Sequence, residues 1–320
     1  MTIIIIASSY DLHADAVVDN ISKSALVYRV SPDEKPNFLS TVFEAKSFYI
    51  NDNEIAFDDV SGIYARYAIE SGVQAEIEDP VMRFSKNEWL ETLCGTFLNV
   101  PAKKWINYPW FESRAEGKIF PLNMASGFGI RVPRFLVTNN IKHLDMFLNV
   151  EPDSGYVIKS ISGAQLAFQN EKFVRLPDYG EFDAPFTKKF QRDLISEEII
   201  DETPFLVQKE IIKKSEVRCV VIDDVVIATE CEVDNLLSLD VRLKPNRIER
   251  SVELSLDLKE KIILFIKHMN LRFCTLDFSI DEAKNYWLTD INPAGNWLWQ
   301  EKQLDLGIPQ MLAEALLANK

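Results

Sequence analysis

What this chain lacks narrows what it can be. Its four cysteines, Cys94, Cys219, Cys231 and Cys274, lie far apart with no CxxC pair. That spacing argues against a zinc site or a disulfide framework and makes a reducing compartment, the cytosol, the default. No apolar stretch approaches membrane-spanning length. The isoleucine run at residues 3–6 follows no basic region and precedes no cleavage site of small residues, so it is expected to be a buried strand and not a signal. Basic charge is scarce: 35 Lys and Arg against 49 Asp and Glu leave a net charge of −14. A phosphate backbone is bound through an excess of Lys and Arg, so nucleic acid is not an expected partner. An acidic surface suits a basic peptide or protein, or serves solubility alone. Internal repeats and low-complexity tracts are missing too.

What is present is globular. With 320 residues, 47% of them hydrophobic and 26% charged, the chain is long enough for two or three packed subdomains. TIIIIA at 2–7 predicts a strand, and SSYDLHADAVVDNI a helix with Leu12, Ala16, Val17 and Ile21 at helical spacing. Strands follow at LVYRV, at a Phe48–Phe57 hairpin with Asn51, Asp52 and Asn53 at its tip, and at GIYARY. Residues 79–99 predict a core helix with Leu90, Leu93, Cys94, Phe97 and Leu98 on one face, stopping before Pro101. After the aromatic loop KKWINYPWF a helix is expected over 113–128, then strand RFLVTN, helix 140–149, and strands YVIKS, LAFQN and KFVRL. Residues 177–204, rich in Pro, Asp and Glu, predict an excursion. Strands FLVQKEI, VRCVVID and DVVIATEC, a helix near 255–269 and a C-terminal helix over 308–318 complete the chain. The boundaries expected from this pass are 1–104, 105–205 and 206–320.

The most informative stretch is LDFSIDEAKNYWLTDINPAGNW, residues 276–297. Asp277 closes one apolar run, and Asp290 and Asn292 close a second after a polar turn. Strand side chains alternate faces, so Asp290 and Asn292 point the same way, and Asp277 on a hairpin partner can converge on them. Two carboxylates and an amide oxygen form a hard-cation site suited to Mg²⁺ shared with substrate phosphates. The plain alternative is a hairpin with solvated acids, although Asp and Asn are depleted inside strands.

Other features are weaker singly. Lys159 ends a strand and is followed by Ser160, Ser162 and Gly163, a short turn able to approach phosphate; a solvated lysine fits equally. Lys118 in RAEGKIF reads alone as a surface lysine. LVQKEII breaks an apolar strand with Gln208, Lys209, Glu210 and Ile211, either an edge strand or a backbone edge for adenine. Arg218 in VRCVVI and Arg242 in LDVRLK offer planar donors for phosphate or carboxylate, and a buried salt bridge explains Arg218 as well.

The order of these features resembles the ATP-grasp superfamily, and more closely its microviridin and graspetide ligases, which macrocyclise ribosomal peptides. GIYARY resembles the W/Y-x-R motif of their N-terminal subdomain and WINYPW their tryptophan-asparagine motif; IKSISG, SEVRCVVID, LDVR and DINPAGNWLW complete a likeness over roughly residues 1–310. The resemblance implies an α/β ATP-grasp fold of α+β subdomains: a pre-ATP-grasp domain (1–104), a central subdomain (105–205) and a C-terminal subdomain with the metal site (206–320). It implies ATP and two Mg²⁺, with Lys118, Lys159, Ser162 and Gly163 on phosphates and Gln208, Lys209, Glu210 and Ile211 as the adenine and ribose hinge. Asp277, Asp290 and Asn292 would bind metal, Arg218 and Arg242 the transferring phosphoryl group, and Asp240 would orient Arg242 or the nucleophile. The implied partner is a precursor peptide with a leader and a core containing Thr, Ser or Lys plus Asp or Glu. No nucleic acid and no membrane are implied; a cytoplasmic homodimer is. The chain departs from the family pattern with Asp290 where Glu is usual, a short turn with one glycine after Lys159, and Lys209 at a position more often acidic. An intermolecular amino-acid or peptide ligase, and a non-catalytic peptide-binding protein, are the competing readings.

Overall fold

A computed structural model describes residues 1–21, 23, 25–32, 39–42, 44–66, 79–152, 154–159, 161, 168–169, 172–173, 187–190, 203–232 and 249–318. The isoleucine run folds as β1 (Thr2–Ile6), paired in parallel with β2 (Leu26–Val30) on one side and β6 (Val60–Ala65) on the other; β7 (Trp105–Ile106) extends the sheet. Alternation sends its side chains to both faces, which is why the run is continuously apolar. Ile3 and Ile5 pack with α1 (Leu12–Asn20) and α8 (Ile308–Leu317). Ile4 and Ile6 pack with α2 (Pro80–Phe97) and the antiparallel sheet of β3 (Leu39–Val42), β4 (Ser47–Ile50) and β5 (Asn53–Ala56). Helix α8 lies so close to β6 that a Cβ on Gly62 would sit 2.6 Å from the Leu316 carbonyl oxygen. Asp11 caps α1, accepting from the His13 and Ala14 N–H groups at 2.8 and 2.9 Å. Ala14 and Val17 form its buried face; Leu12, the first helical residue, is exposed, unlike the expected pattern.

The single helix expected over 113–128 is two. Pro109 at the first helical position starts α3 (Pro109–Glu116) early, and Gly117, extended at φ −64° and ψ 143°, ends it. Lys118 therefore sits at the N-cap of α4 (Ile119–Gly127) instead of inside a helix.

The central sheet has the order β12 (Thr187–Lys189), β9 (Tyr156–Lys159), β13 (Phe205–Lys209), β8 (Phe135–Thr138), all antiparallel, with α5 (Ile141–Leu148) packed on one face. A two-stranded ribbon of β10 (Phe168–Gln169) and β11 (Lys172–Phe173) stands apart from it. β13 is an internal strand, not an edge: its partners lie about 50 and 70 residues upstream, where no local pattern reveals them.

The third sheet runs β16 (Arg250–Ser251), β15 (Val225–Glu232), β14 (Lys213–Ile222), β17 (Phe273–Asp281), β18 (Tyr286–Asn292). Its core is shared by α6 (Leu256–His268) with Ala115, Leu122 and Ala125 of α3 and α4. A further helix, α7 (Leu298–Leu304), follows the hairpin and was not expected from periodicity. β7 joins the first sheet and β13 the central one, while α3 and α4 pack into the core of the third. No described helix is long and apolar enough to cross a membrane.

Candidate active site

Register in the third sheet puts Asp277 directly opposite Asp290 on one side and opposite Arg218 on the other. A carboxylate, a carboxylate and a guanidinium thus form one row across three strands. Asn292 lies opposite Thr275, one step along the same face, so the expected convergence of Asp277, Asp290 and Asn292 is met by the backbone. A bulge follows Asp277, and the hydroxyl of Thr289 donates to the Asp277 carbonyl oxygen at 3.0 Å.

Each carboxylate of the row already has a cation. Arg218 Nη1 donates to both oxygens of Asp277 at 2.7 and 2.8 Å, and Lys118 Nζ to Asp290 at 2.9 Å. The guanidinium of Arg218 is fixed from all sides: Nη2 donates to Thr275 Oγ1 and the Asn296 carbonyl oxygen, both at 3.0 Å, and its Cζ stacks 4.9 Å from the Trp299 ring centroid. Its Nε is buried without a hydrogen-bond partner. Thr275 also dictates its neighbour: a Cβ on Gly295 would lie 1.8 Å from Thr275 Oγ1, so only glycine fits there.

Lys159 enters from the central sheet, and its Nζ donates to the Thr289 carbonyl oxygen at 3.0 Å. Burial pushes its amine down to about 8, against the pull of Asp290. Leu206 lies opposite Lys159, so Gln208, two residues further along β13, shares its face. Gln208 is buried and its Nε2 has no partner. Lys209 alternates to the α5 face and pairs with Glu151. Its N–H donates to the Arg134 carbonyl oxygen and that of Glu210 to Gly155, each at 2.8 Å, so these two donors are not free for adenine. The Glu210 carboxylate lies 3.4 Å from Lys189, and Ile211 follows in the link to β14. Arg242, Asp240, Ser162 and Gly163 lie outside the described residues.

The structure therefore brings Lys118, Lys159, Arg218, Asp277, Asp290 and Asn292 together, with Gln208 on the adjoining face and the Lys209 side chain turned away. Thr275, Gly295 and Trp299 complete the cradle and were missed; the DINPAGNWLW run contains Gly295 and Trp299, and no sequence signal pointed to Thr275. Glu112 was missed as well. It is buried in α3 with Oε1 unpartnered, and burial, reinforced by Glu116, pushes its carboxyl up to about 8.

As a cation site the set fits Mg²⁺. The donor set is two carboxylates and one amide oxygen; no group of three or more His, Cys, Asp or Glu that could hold a metal is found among the described residues. Magnesium takes few protein ligands and completes its shell with water and phosphate oxygens. The paired Arg218 and Lys118 make the site dense in both charges.

The sequence matches no protein-family model and no curated protein. Solved structures do match, and the fold they define is that of the ATP-grasp ligases. The chain aligns with a RiPP-associated ATP-grasp ligase from Chryseobacterium gregarium, in complex with ADP and a leader and core peptide, at a TM-score of 0.81 and 23% identity, covering 100% of this chain and 97% of that one. The macrocyclase MdnB from Microcystis aeruginosa MRC gives 0.76 and 24%, covering 99% of both chains. MdnC from the same organism, bound with precursor peptide MdnA, gives 0.78 and 19%, covering 99% of this chain and 100% of that one.

Proposed function

We propose that this protein is an ATP-dependent, ADP-forming ligase that activates Asp or Glu side chains of a ribosomal precursor peptide and closes ester or amide macrocycles. The observation that carries the reading is the convergence of Lys118, Lys159 and Arg218 on Asp277, Asp290 and Asn292. Support also comes from whole-chain likeness to peptide-modifying ligases, against a TM-score of 0.58 for the D-cycloserine synthetase DcsG.

In this reading Lys118 exchanges Asp290 for phosphate oxygens, and Lys159 exchanges the Thr289 carbonyl oxygen for a phosphate oxygen. Asp277, Asp290 and Asn292 hold Mg²⁺, which when bound neutralises the phosphate charge that otherwise repels a carboxylate. A side-chain carboxylate of the peptide attacks the γ-phosphorus, the bond to the bridging oxygen of ADP breaks, and an acyl phosphate forms. A Ser or Thr hydroxyl or a Lys amine of the same peptide then attacks the acyl carbon, expels phosphate and releases one proton. Arg218, held planar between Asp277, Thr275 and Trp299, faces the charge that builds at the phosphoryl group without having to reorganise. Positioning and neutralisation supply the catalysis, with no covalent enzyme intermediate. Arg242 on the phosphoryl group, Asp240 beside it, Ser162 and Gly163 on phosphate, and Gln208 to Ile211 at the nucleoside are parts of the same proposal. So are the three-part division of the chain, the homodimer, the cytoplasm, and a partner peptide with a leader and a core of Thr, Ser or Lys plus Asp or Glu.

The test is the intact mass of the peptide encoded beside the gene after incubation with the protein, ATP and Mg²⁺, with Asp277→Ala as control. Loss of one water per ring, with the unmutated protein only, is the expected result. Addition of an amino-acid mass moves the assignment to an intermolecular ligase, and no ADP formation overturns it.

A further inference from the structure

The loop that carries Asn292 is held from the far end of the sequence. Arg66, 4% exposed, donates to the carbonyl oxygens of Ala294 at 3.0 Å and Gly295 at 3.4 Å, and to Asn296 Oδ1 at 2.8 Å. Its Nε donates to Asp11 at 3.3 Å, so the charge is balanced by the carboxylate that caps α1. Asn107, 2% exposed, uses its whole amide: Nδ2 donates to the carbonyl oxygens of Phe273 at 2.8 Å and Pro293 at 2.9 Å, and Oδ1 accepts from the N–H groups of Arg272 at 2.9 Å and Phe273 at 3.0 Å.

Between them, these two side chains bind each residue from Pro293 to Asn296. From the C-terminal side the loop is held at its ends: Thr275 Oγ1 bonds the Asn292 carbonyl oxygen at 3.3 Å and Arg218 that of Asn296 at 3.0 Å. Asn292 Oδ1, the metal-facing atom, accepts from the Ala294 N–H at 3.2 Å, so its aim depends on where Ala294 is held. Arg66 fixes Ala294.

We propose that Arg66 and Asn107 are positioning residues for metal binding, setting the Asn292 amide oxygen through the Pro293–Asn296 loop without touching nucleotide or metal. This inference rests on the nucleotide-site reading above. Groups that orient metal ligands from behind change metal affinity by about 10- to 100-fold when removed. A purely structural role for the two residues would weaken nucleotide binding with and without metal alike.

The experiment is ADP binding by isothermal titration calorimetry, with and without Mg²⁺, for the parent protein, Arg66→Lys, Asn107→Asp and Asn296→Ala. Arg66→Lys keeps the charge beside Asp11, and Asn296→Ala trims one arm of the clamp at an exposed residue, so folding is not at stake in that variant. The factor by which Mg²⁺ tightens ADP binding is expected to fall about tenfold in Arg66→Lys and Asn107→Asp, and less in Asn296→Ala, while metal-free ADP affinity stays within about twofold. An unchanged magnesium factor in all three variants, or a parallel loss of metal-free affinity, overturns the proposal. A parent protein whose ADP binding ignores Mg²⁺ overturns the nucleotide-site reading itself, and the positioning role with it.

Discussion

The two sheets that meet at the site prepare for charge in opposite ways. On the five-stranded sheet Arg218 is matched to Asp277, and Asp290 to Lys118, so that wall is balanced before any ligand arrives. On the central sheet Lys159 donates to a carbonyl oxygen, and burial pushes its amine down to about 8 against the pull of Asp290. The first wall pairs its ions with one another. The second holds a cation that burial has stripped of water, to which a phosphate would bring a direct anionic partner. A desolvated cation is costly in the free protein and recovers that cost on binding, which is how a site trades stability for affinity.

Substitutions that remove charge from each wall should therefore act with opposite sign on stability. The largest effect is expected for Asp277→Ala. It removes a metal ligand and leaves Arg218 without its counter-ion, so peptide-dependent ADP release should fall about 10³-fold or more, with about 2–3 kcal/mol of stability lost because Asp277 itself is partly exposed. Turnover and chemical denaturation measure the two effects. Equal stability would show that the wall is not balanced by this pair.

Lys159→Met should lower turnover about 100-fold and yet stabilise the protein by about 1–2 kcal/mol at pH 7. The sign follows from a folded amine below its unfolded value: the charged form is disfavoured in the fold, the penalty is full below about 8, and it is relieved as pH rises from there toward the unfolded value. Denaturant midpoints at pH 7 and pH 10 test it, the gain from Lys159→Met shrinking at the higher pH. A destabilised Lys159→Met variant at pH 7 would abolish the contrast.

Glu112→Gln sharpens the comparison from behind the site, with stability as its main readout. The buried carboxyl is pushed up to about 8 from an unfolded value near 4.5, so the parent should lose stability as pH rises between those values. The variant should lack that slope and gain about 2–4 kcal/mol at pH 8 over the parent. Parallel pH profiles for the two proteins would remove Glu112 as the source.

Much of the five-stranded wall was legible in the sequence. Alternation in TLDFSID and YWLTDIN gives both the strands and the shared face of Asp290 and Asn292, while the bulge after Asp277, which puts Asp290 and not Thr289 opposite it, has no signal in that alternation. The central sheet was less legible. Three of its strands were found, but β12 lies inside the excursion expected over 177–204, β13 as an internal strand depends on β8 and β9, and whether Lys209 turns toward the site depends on pairing and not on its neighbours in sequence. The break at Gly117 escaped periodicity because the helical pattern continues in step through RAEGKIF, and only the extended glycine backbone shows that Lys118 begins a helix. In the first unit β1, α1, β2, the β4–β5 hairpin, β6 and α2 were expected, while β3 was not and β7 falls in the expected aromatic loop; nothing in GIYARY or WINYPW says where Arg66 and Asn107 will find their acceptors.

Those acceptors have a consequence for how the chain acquires its shape. Arg66 meets its partners 228 to 230 positions downstream, and α8, the last helix, packs back on β6 beside Gly62. The first sheet leaves the ribosome long before either exists. Until residues 294–317 emerge, it must wait without the cover of α8 and with a guanidinium whose later acceptors are still unmade. Contacts of such long separation form late and slowly. The nascent chain is thus exposed to aggregation and proteolysis until those residues are made, and the loop behind Asn292 stays unclamped on that side until residues from opposite halves of the chain meet.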